Sequence, residues 1–211
     1  MKKATTLIAA LAVFLTVFTG AAIADDETDR NRGGSETEAP SLYDIAKDAS
    51  KGRWIVDRNG GDFDILLLAL KVTGLDKVVD DPTQDLTVFA PTDDTFRATF
   101  GGRSELRVLF NVLRAVDYDK DALANVLLYH VTALNTDDEK GLSSDEVLAN
   151  VPIDVPMVNG GTAFASFDGT SLTLEGGSSA PSVVNLGAID IGRGTASNGI
   201  IHVIGESVLL P

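Results

Sequence analysis

Two histidines and no cysteine limit the side chains that could act as a base, a nucleophile or a soft metal ligand. The absence of cysteine excludes disulfides, thiolate metal sites and a cysteine nucleophile. His202 lies inside the apolar run IIHVI at 200–204, where a histidine is more often a hydrogen-bonded structural residue than the exposed base of a catalytic triad. His130 follows a helical apolar pattern, and a helix C-terminus favours a positively charged ring. We therefore predict structural roles for both histidines.

Two further patterns resemble ligand sites but lack required positions. The GRG at 192–194 lacks a third glycine and does not join a strand to a helix, so it does not predict a dinucleotide site. The DYDKD at 117–121 begins like a calcium loop, but Ala122 replaces the glycine and Leu128 the glutamate that such a loop needs. A turn and a helix N-cap explain it more simply. With neither a nucleophile elbow nor a Walker loop, the sequence predicts no enzyme, no metal and no cofactor.

The net charge of the chain also limits the classes of partner that we expect. Its 17 Lys and Arg against 31 Asp and Glu give a net charge of −14. Nucleic acids and anionic membranes both require clustered basic residues, so neither is an expected partner. A hydrophobic fraction of 44% is that of a folded domain.

The first 24 residues are predicted to be a signal peptide. Lys2 and Lys3 precede an apolar stretch at 7–18, and Ala22-Ile23-Ala24 is a small-x-small cleavage site. The alternative is a membrane anchor, for which the stretch is short. We expect export to the periplasm or beyond the cell, with no stable membrane insertion after cleavage. Residues 25–40 are polar and charged, which predicts a disordered leader.

Helical patterns fill the first half of the remaining chain, around one short strand at 86–90. Ser41 is predicted to cap the first helix, Asp62 to cap a second over 63–72, and either Asp119 or Asp121 to cap one over 121–130. A capping box formed by Ser143 and Glu146 precedes a short helix. The helix over 104–116 should bury an apolar stripe that consists of Leu106, Leu109, Phe110 and Leu113.

From residue 151 the apolar period changes to two, which predicts an antiparallel meander. Pro152 and Pro156 place its first strand at a sheet edge. Asn159-Gly160 predicts a type I′ hairpin turn, and Asp168-Gly169 a second such turn. Strands should cover 162–167, 171–175, 182–185, 187–191 and 200–204. The fold class is therefore α+β, in one domain over 41–211.

Three segments in order resemble the signatures of the fasciclin domain family. They are TVFAPTDDTF at 87–96, LLYHV at 127–131 and NGIIHVIGESVLLP at 198–211. The segment GDFDILLLALKVTGL at 61–75 is similar to the first buried helix of that family. The resemblance covers roughly 41–211.

The resemblance implies a twisted antiparallel β-sandwich or wedge with flanking helices, and a role in adhesion rather than catalysis. In animal members the Tyr-His segment is associated with integrin binding, which would map to Tyr129 and His130; the chain has no Arg-Gly-Asp tripeptide, and its bacterial-type export signal argues against an integrin. The other signature residues are expected to build the fold. They are Thr87, Phe89, Pro91, Thr92, Phe96, Asn198, Gly199, His202 and Pro211.

Two functions follow from the resemblance and the export signal. The first is an exported adhesion module that binds a surface or matrix protein, a polysaccharide or a second copy of itself. The alternative is a water-soluble carrier of an apolar ligand such as a carotenoid. A carrier would need an apolar groove, for example between the helices at 42–51 and 104–116.

Overall fold

The computed structural model describes residues 38–50, 59–134, 141–177 and 180–211. The predicted signal peptide and the predicted leader up to residue 37 lie outside the described residues, as does residue 51, the last of the helix predicted at 42–51. Within the described ranges, no helix is long and apolar enough to cross a membrane.

Helices dominate the first half of the described chain, and strands dominate the second. The helices of the described residues are α1 (Leu42–Ala49), α2 (Asp64–Thr73), α3 (Asp76–Val79), α4 (Asp93–Phe100), α5 (Glu105–Ala115), α6 (Lys120–Leu128) and α7 (Ser144–Asn150). The strands are β1 (Leu86–Pro91), β2 (Val131–Thr132), β3 (Ile153–Pro156), β4 (Thr162–Phe167), β5 (Leu172–Glu175), β6 (Ser182–Val184) and β7 (Gly199–Gly205). The predicted α+β class is confirmed.

Side-chain caps begin four of these helices. The hydroxyl groups of Ser41 and Thr92 accept hydrogen bonds from backbone N–H groups in the first turns of α1 and α4. Asp119, rather than Asp121, caps α6. Ser143 and Glu146 form the predicted capping box before α7. These caps satisfy N–H groups that a helix start leaves without partners.

The predicted cap of α2 is wrong. Phe63 is the N-cap residue, and Asp62 instead accepts a hydrogen bond from the Asn59 side chain at 3.0 Å. The N–H of Ile65 donates to the Oδ1 atom of Asp93 at 2.9 Å. The side chain of Asp93, 28 residues further along the chain, thus takes the place of a local N-cap.

The seven strands form one sheet in the order β2-β1-β7-β6-β5-β4-β3. Strands β3 to β6 form the predicted antiparallel meander, and β3 lies at the sheet edge as Pro152 and Pro156 indicated. The sheet as a whole is mixed because β1 and β7 run parallel, from Leu86 opposite Gly199 to Pro91 opposite Ile204. The predicted strand at 187–191 does not form, and only one bridge pairs Ile191 with Ile201.

The two edges of the sheet come together at one end. The N–H of Val158, just after β3, donates to the carbonyl of Val131 in β2 at 2.8 Å. The Thr132 hydroxyl donates to the Pro156 carbonyl at 2.7 Å. Backbone groups that an open sheet edge would leave unpaired are therefore satisfied here.

Neither meander turn is of type I′. In the first turn Gly160 has a φ of +87°, but Asn159 is not among the described residues with positive φ. The Asn159 side chain accepts a hydrogen bond from the N–H of Gly161 at 2.9 Å. Asp168 likewise accepts from the N–H groups of Thr170 and Ser171. Both turns thus rest on the side-chain hydrogen bonds that Asn and Asp make two or three residues on.

Two hydrophobic clusters lie on opposite faces of the central strands. Val88 and Ala90 of β1 pack with the helices in one cluster, and Phe89 points to the other face and packs with residues of the meander. The alternation along β1 follows from the two-residue period of a strand.

The predicted core stripe of α5 is wrong in part. The helix buries Glu105, Val108 and Val112, whereas Leu106 and Phe110 are 60% and 44% exposed. Two stripes with a spacing of three to four residues overlap on this helix, and periodicity alone does not say which one faces the core. Packing against α2 and α4 selects the valines.

The first prediction concerns Gly199, which joins the start of β7 to β1. Its φ is +137°, and a Cβ atom there would lie 1.8 Å from the Leu86 carbonyl oxygen. We expect Gly199→Ala to lower the free energy of unfolding by roughly 3 kcal/mol or more, because both the backbone conformation and the parallel pairing resist the methyl group. Urea denaturation followed by circular dichroism measures the loss.

Gly205→Ala is the matched control. Gly205 ends the same strand, and its added Cβ atom would meet nothing closer than 3.9 Å. Equal losses in the two variants would show that the contact with Leu86 does not constrain the fold.

Candidate functional site

Tyr129 and His130 form a buried corner between α6 and β2. The Tyr129 hydroxyl donates to the Thr162 carbonyl at 2.6 Å, which ties the end of α6 to β4. Gly161 makes room for the ring, because a Cβ atom there would lie 2.7 Å from the Cε2 atom of Tyr129. Both side chains are only 2% exposed. A partner would have to open the fold to contact them directly.

The His130 ring joins α6 to the C-terminal segment. The Nε2 atom accepts a hydrogen bond from the N–H of Leu209 at 3.1 Å. The Nδ1 atom therefore carries the proton, which it donates to the Val126 carbonyl at 2.8 Å. Burial lowers the pKa of His130 to about 4. The ring is thus neutral at pH 7. The expectation of a positively charged ring at this helix end is wrong.

His202 and Thr87 hold the same residue from adjacent strands. The Nε2 atom of His202 donates to the Leu142 carbonyl at 2.9 Å, and the Thr87 hydroxyl accepts from the Leu142 N–H. The Nδ1 atom of His202 accepts from the N–H of Asp190 at 3.4 Å, and the ring stacks on Phe89 at 5.7 Å. Burial lowers the pKa of His202. Both histidine rings are buried and hydrogen-bonded to the backbone at each nitrogen.

Asn198 joins three parts of the chain just before β7. Its Oδ1 atom accepts from the N–H of Leu42 at 2.8 Å, at the start of α1. Its Nδ2 group donates to the carbonyls of Val79 and Asp81 at 2.7 and 3.1 Å. The carbonyl of Asn198 accepts from the N–H of Leu86 at 3.0 Å. The side chain and backbone carbonyl of this one buried residue thus fix α1, the end of α3 and β1 relative to β7.

The other predicted signature residues have structural places as well. Pro91 ends β1 opposite Ile204. Thr92 caps α4, and Phe96 is buried in the helix-side cluster, where it stacks on Phe100. Pro211 is exposed at the end of the chain, close to Gly177.

A cluster of buried carboxylates lies where α2 and α4 begin. Oxygen atoms of Asp62, Asp64 and Asp93 lie within 4.8 Å of one another, and Glu105 is buried nearby at the start of α5. Burial, with smaller contributions from the neighbouring carboxylates Asp62, Glu105 and Asp64, raises the pKa of Asp93 to about 8, although the hydrogen bond from the Ile65 N–H lowers it. Asp93 is therefore mainly protonated at pH 7.

Oxygen ligands of this kind are those that Ca²⁺ and Mg²⁺ prefer, so these three aspartates are the residues that could hold a hard cation. The proton on Asp93 reduces the negative charge of the cluster, and a bound cation is not needed for this. The sequence pattern did not indicate the cluster, because the three aspartates come from two segments that only the fold brings together. The DFD at 62–64, two acids around one apolar residue before a long apolar run, is the available signal.

The inner faces of α1 and α5, between which a carrier groove was expected, belong to one packed cluster. Leu42, Ala46, Val108 and Val112 are all buried in it. An open groove of about 480 Å³ lies instead at an end of the meander. Its lining includes Thr170, Val184, Leu186 and Glu206.

Comparison of the chain with models of known protein families identifies one family. Residues 61–211 match the family model of the fasciclin domain. No curated protein matches the chain. Among solved structures, the chain is similar to a FAS1 domain pair from the insect cell adhesion molecule fasciclin I, with 14% sequence identity and a TM-score of 0.49. The match covers 71% of this chain and 47% of the other, so the chain spans about half the length of that protein.

The second prediction concerns His130. Its folded-state pKa of about 4 lies below the ordinary value of 6.5, so the folded state binds fewer protons than the unfolded state between these two pH values. The stability that the neutral ring contributes is fully present above pH 6.5 and is lost as the pH falls to 4, by about 3 kcal/mol in all. The free-energy difference between wild type and His130→Gln should shrink by this order over the same window. A difference that stays constant would contradict the neutral, buried ring.

The third prediction concerns Asp93, whose contribution to stability changes with pH in the direction opposite to that of His130. Its folded-state pKa of about 8 lies above the ordinary 3.8, so its contribution to stability is present at low pH and is lost as the pH rises to 8. Asp93→Asn keeps an oxygen for the Ile65 N–H and does not ionise. We expect the stability of this variant relative to wild type to rise as the pH increases from 4 to 8, measured by thermal unfolding. The exposed neighbour Asp94→Asn is the control, and an equal gain in both variants would contradict the role of burial.

Proposed function

Because the chain belongs to the fasciclin domain family, we propose that it is an exported, non-enzymatic adhesion module that acts at a cell surface or in an extracellular matrix. In this proposal residues 1–24 are removed as a signal peptide, and 41–211 form the adhesion domain. The hydrogen bond from the Leu42 N–H to Asn198 supports the inclusion of α1 in the domain, although this helix precedes the family match. The partner is a surface or matrix protein, a polysaccharide or a second copy of the chain.

One observation carries the non-enzymatic part of the proposal. The chain has two imidazoles, and both are buried with each ring nitrogen engaged by a backbone group. Neither ring can exchange a proton with a substrate at the surface without breaking a structural hydrogen bond. The buried cluster around Asp93 is likewise used to hold the start of α2.

We further propose that the Tyr129–His130 segment supports binding indirectly. The two side chains fix the corner between α6, β2 and the C-terminal segment through Thr162, Val126 and Leu209. Binding would then use exposed residues whose positions depend on that corner.

The fourth prediction tests adhesion in the source organism. Deletion of the gene should lower attachment to surfaces or cell–cell aggregation several-fold, and the full chain should restore it. A chain without residues 1–24 should not restore it, because the module would not be exported. Gly199→Ala is the second control, since it destabilises the fold and leaves the signal peptide unchanged, so it should restore attachment less well than wild type. Unchanged attachment in the deletion strain would contradict the proposed function.

A further inference from the structure

The outward face of α5 carries large apolar side chains in water. Leu106 and Phe110, four residues apart, are 60% and 44% exposed. The helix is anchored through Val108 and Val112 on its opposite face, so the outer residues are not needed to hold it. Adjacent exposed apolar side chains of this size mark interaction surfaces more often than isolated ones do.

Tyr118 extends this surface at a cost in backbone energy. Asp117 and Tyr118 have φ angles of +51° and +60°, which non-glycine residues rarely adopt. The N–H of Tyr118 donates to the Leu113 carbonyl at 2.7 Å and holds the turn against the end of α5. The Tyr118 ring, 55% exposed, meets the Phe110 ring edge-on with centroids 5.8 Å apart. A strained turn that places an aromatic ring in solvent is a pattern typical of binding sites.

Arginines border the apolar residues. Arg103, Arg107 and Arg114 are exposed, and none forms an ion pair with another described residue. Arg107 and Arg114 lie on α5, and Arg103 lies just before it. This group of positive charges stands out in a chain with a net charge of −14. Asp117 is the acidic neighbour at the end of this row. Arginine and aromatic residues together are the composition of binding hot spots.

The spacing of these residues is that of a helix–helix seam. Leu106, Phe110 and Leu113 occupy successive d, a and d positions of a heptad, and Arg107 and Arg114 occupy the flanking e positions. Leu113 is half-buried below the other two. In such a seam the partner helix supplies apolar residues to the centre and carboxylates opposite the arginines.

We propose that this surface of Leu106, Arg107, Phe110, Arg114 and Tyr118 docks an acidic amphipathic helix of a partner protein. The inference rests on the proposed adhesion function, to which it adds the chemistry of the partner. A symmetric contact with a second copy would bring the same arginines face to face, which like charges oppose. A carbohydrate chain or a phosphate surface would satisfy the arginines but not the heptad of apolar residues.

The fifth prediction uses a synthetic probe. A 21-residue helical peptide with Leu at a and d and Glu at e and g is compared with the same peptide carrying Lys at e and g. Like charges keep each peptide monomeric. By fluorescence anisotropy with the purified chain, we expect the Glu peptide to bind with a Kd on the order of 10 μM and the Lys peptide to bind at least tenfold more weakly. Binding of the Glu peptide should weaken with rising salt.

Two variants and one control locate the contact. Arg107→Glu and Phe110→Ser should each weaken binding of the Glu peptide at least tenfold. The Tm should be unchanged in Arg107→Glu, whose side chain is exposed, and should fall slightly in Phe110→Ser, which loses the ring contact with Tyr118. Lys77→Glu, an equal charge reversal on α3, should leave binding unchanged. Equal binding of both peptides, or binding that Arg107→Glu does not alter, would overturn the proposal. So would a dimer in sedimentation that Phe110→Ser dissolves while neither peptide binds.

Expression of the same variants in the deletion strain separates this inference from the proposed function. If wild type restores attachment and Arg107→Glu restores it fully, the docking surface is not the adhesive one and the inference fails alone. If the peptide binds as expected but deletion does not affect attachment, the adhesion function fails while the helix-binding surface stands.

Discussion

The parallel pairing of β1 with β7 is the constraint on which the rest of the fold depends. The two strands lie more than 100 residues apart in the chain and form six register pairs. Strand β2 extends the sheet on one side of this pair, and the whole meander extends it on the other. No short turn can enforce a parallel pair, so its register must be set by tertiary contacts. The buried Asn198 amide and the close passage of Gly199 over the Leu86 carbonyl supply them.

Buried polar side chains tie the remaining segments to that pair. His130 holds the C-terminal segment, His202 and Thr87 hold Leu142 ahead of α7, and Asp93 holds the start of α2. The two imidazoles must be neutral to make these hydrogen bonds, because each ring accepts a backbone N–H at one nitrogen, and burial keeps the Asp93 carboxyl mainly protonated at pH 7. The pH dependences of His130 and Asp93 oppose each other between pH 4 and 6.5, so these two contributions offset each other in that range. Side chains that resemble catalytic groups in the sequence therefore stabilise the fold.

Local signals predicted most of the elements, and long-range contacts explain where they failed. The caps at Ser41 and Ser143 are decided within four residues, and local sequence rules predicted both of them. The start of α2 depends on Asp93 from another segment, so a local rule assigned the cap to Asp62. The outer face of α5 was predicted to be core because its apolar spacing is correct for a helix, although the partners of the helix select Val108 and Val112. The carboxylate cluster had no signal beyond the acids around Phe63, since its members meet only in the folded chain.

The residues that identify the family are different from the residues whose exposure suits them to contact a partner. Residues that identify the family, such as Asn198, Gly199 and His202, are buried and have their hydrogen bonds satisfied within the chain. They can be retained while the surface changes, because their energetic role does not involve a ligand. The outer face of α5 is the reverse case: Leu106, Phe110 and Tyr118 contribute little to the core, and Tyr118 adopts an unfavourable backbone conformation. Such residues lower stability or solubility unless something covers them. In the proposed adhesion function, specificity would therefore come from exposed faces such as the outer face of α5, because the signature residues are buried.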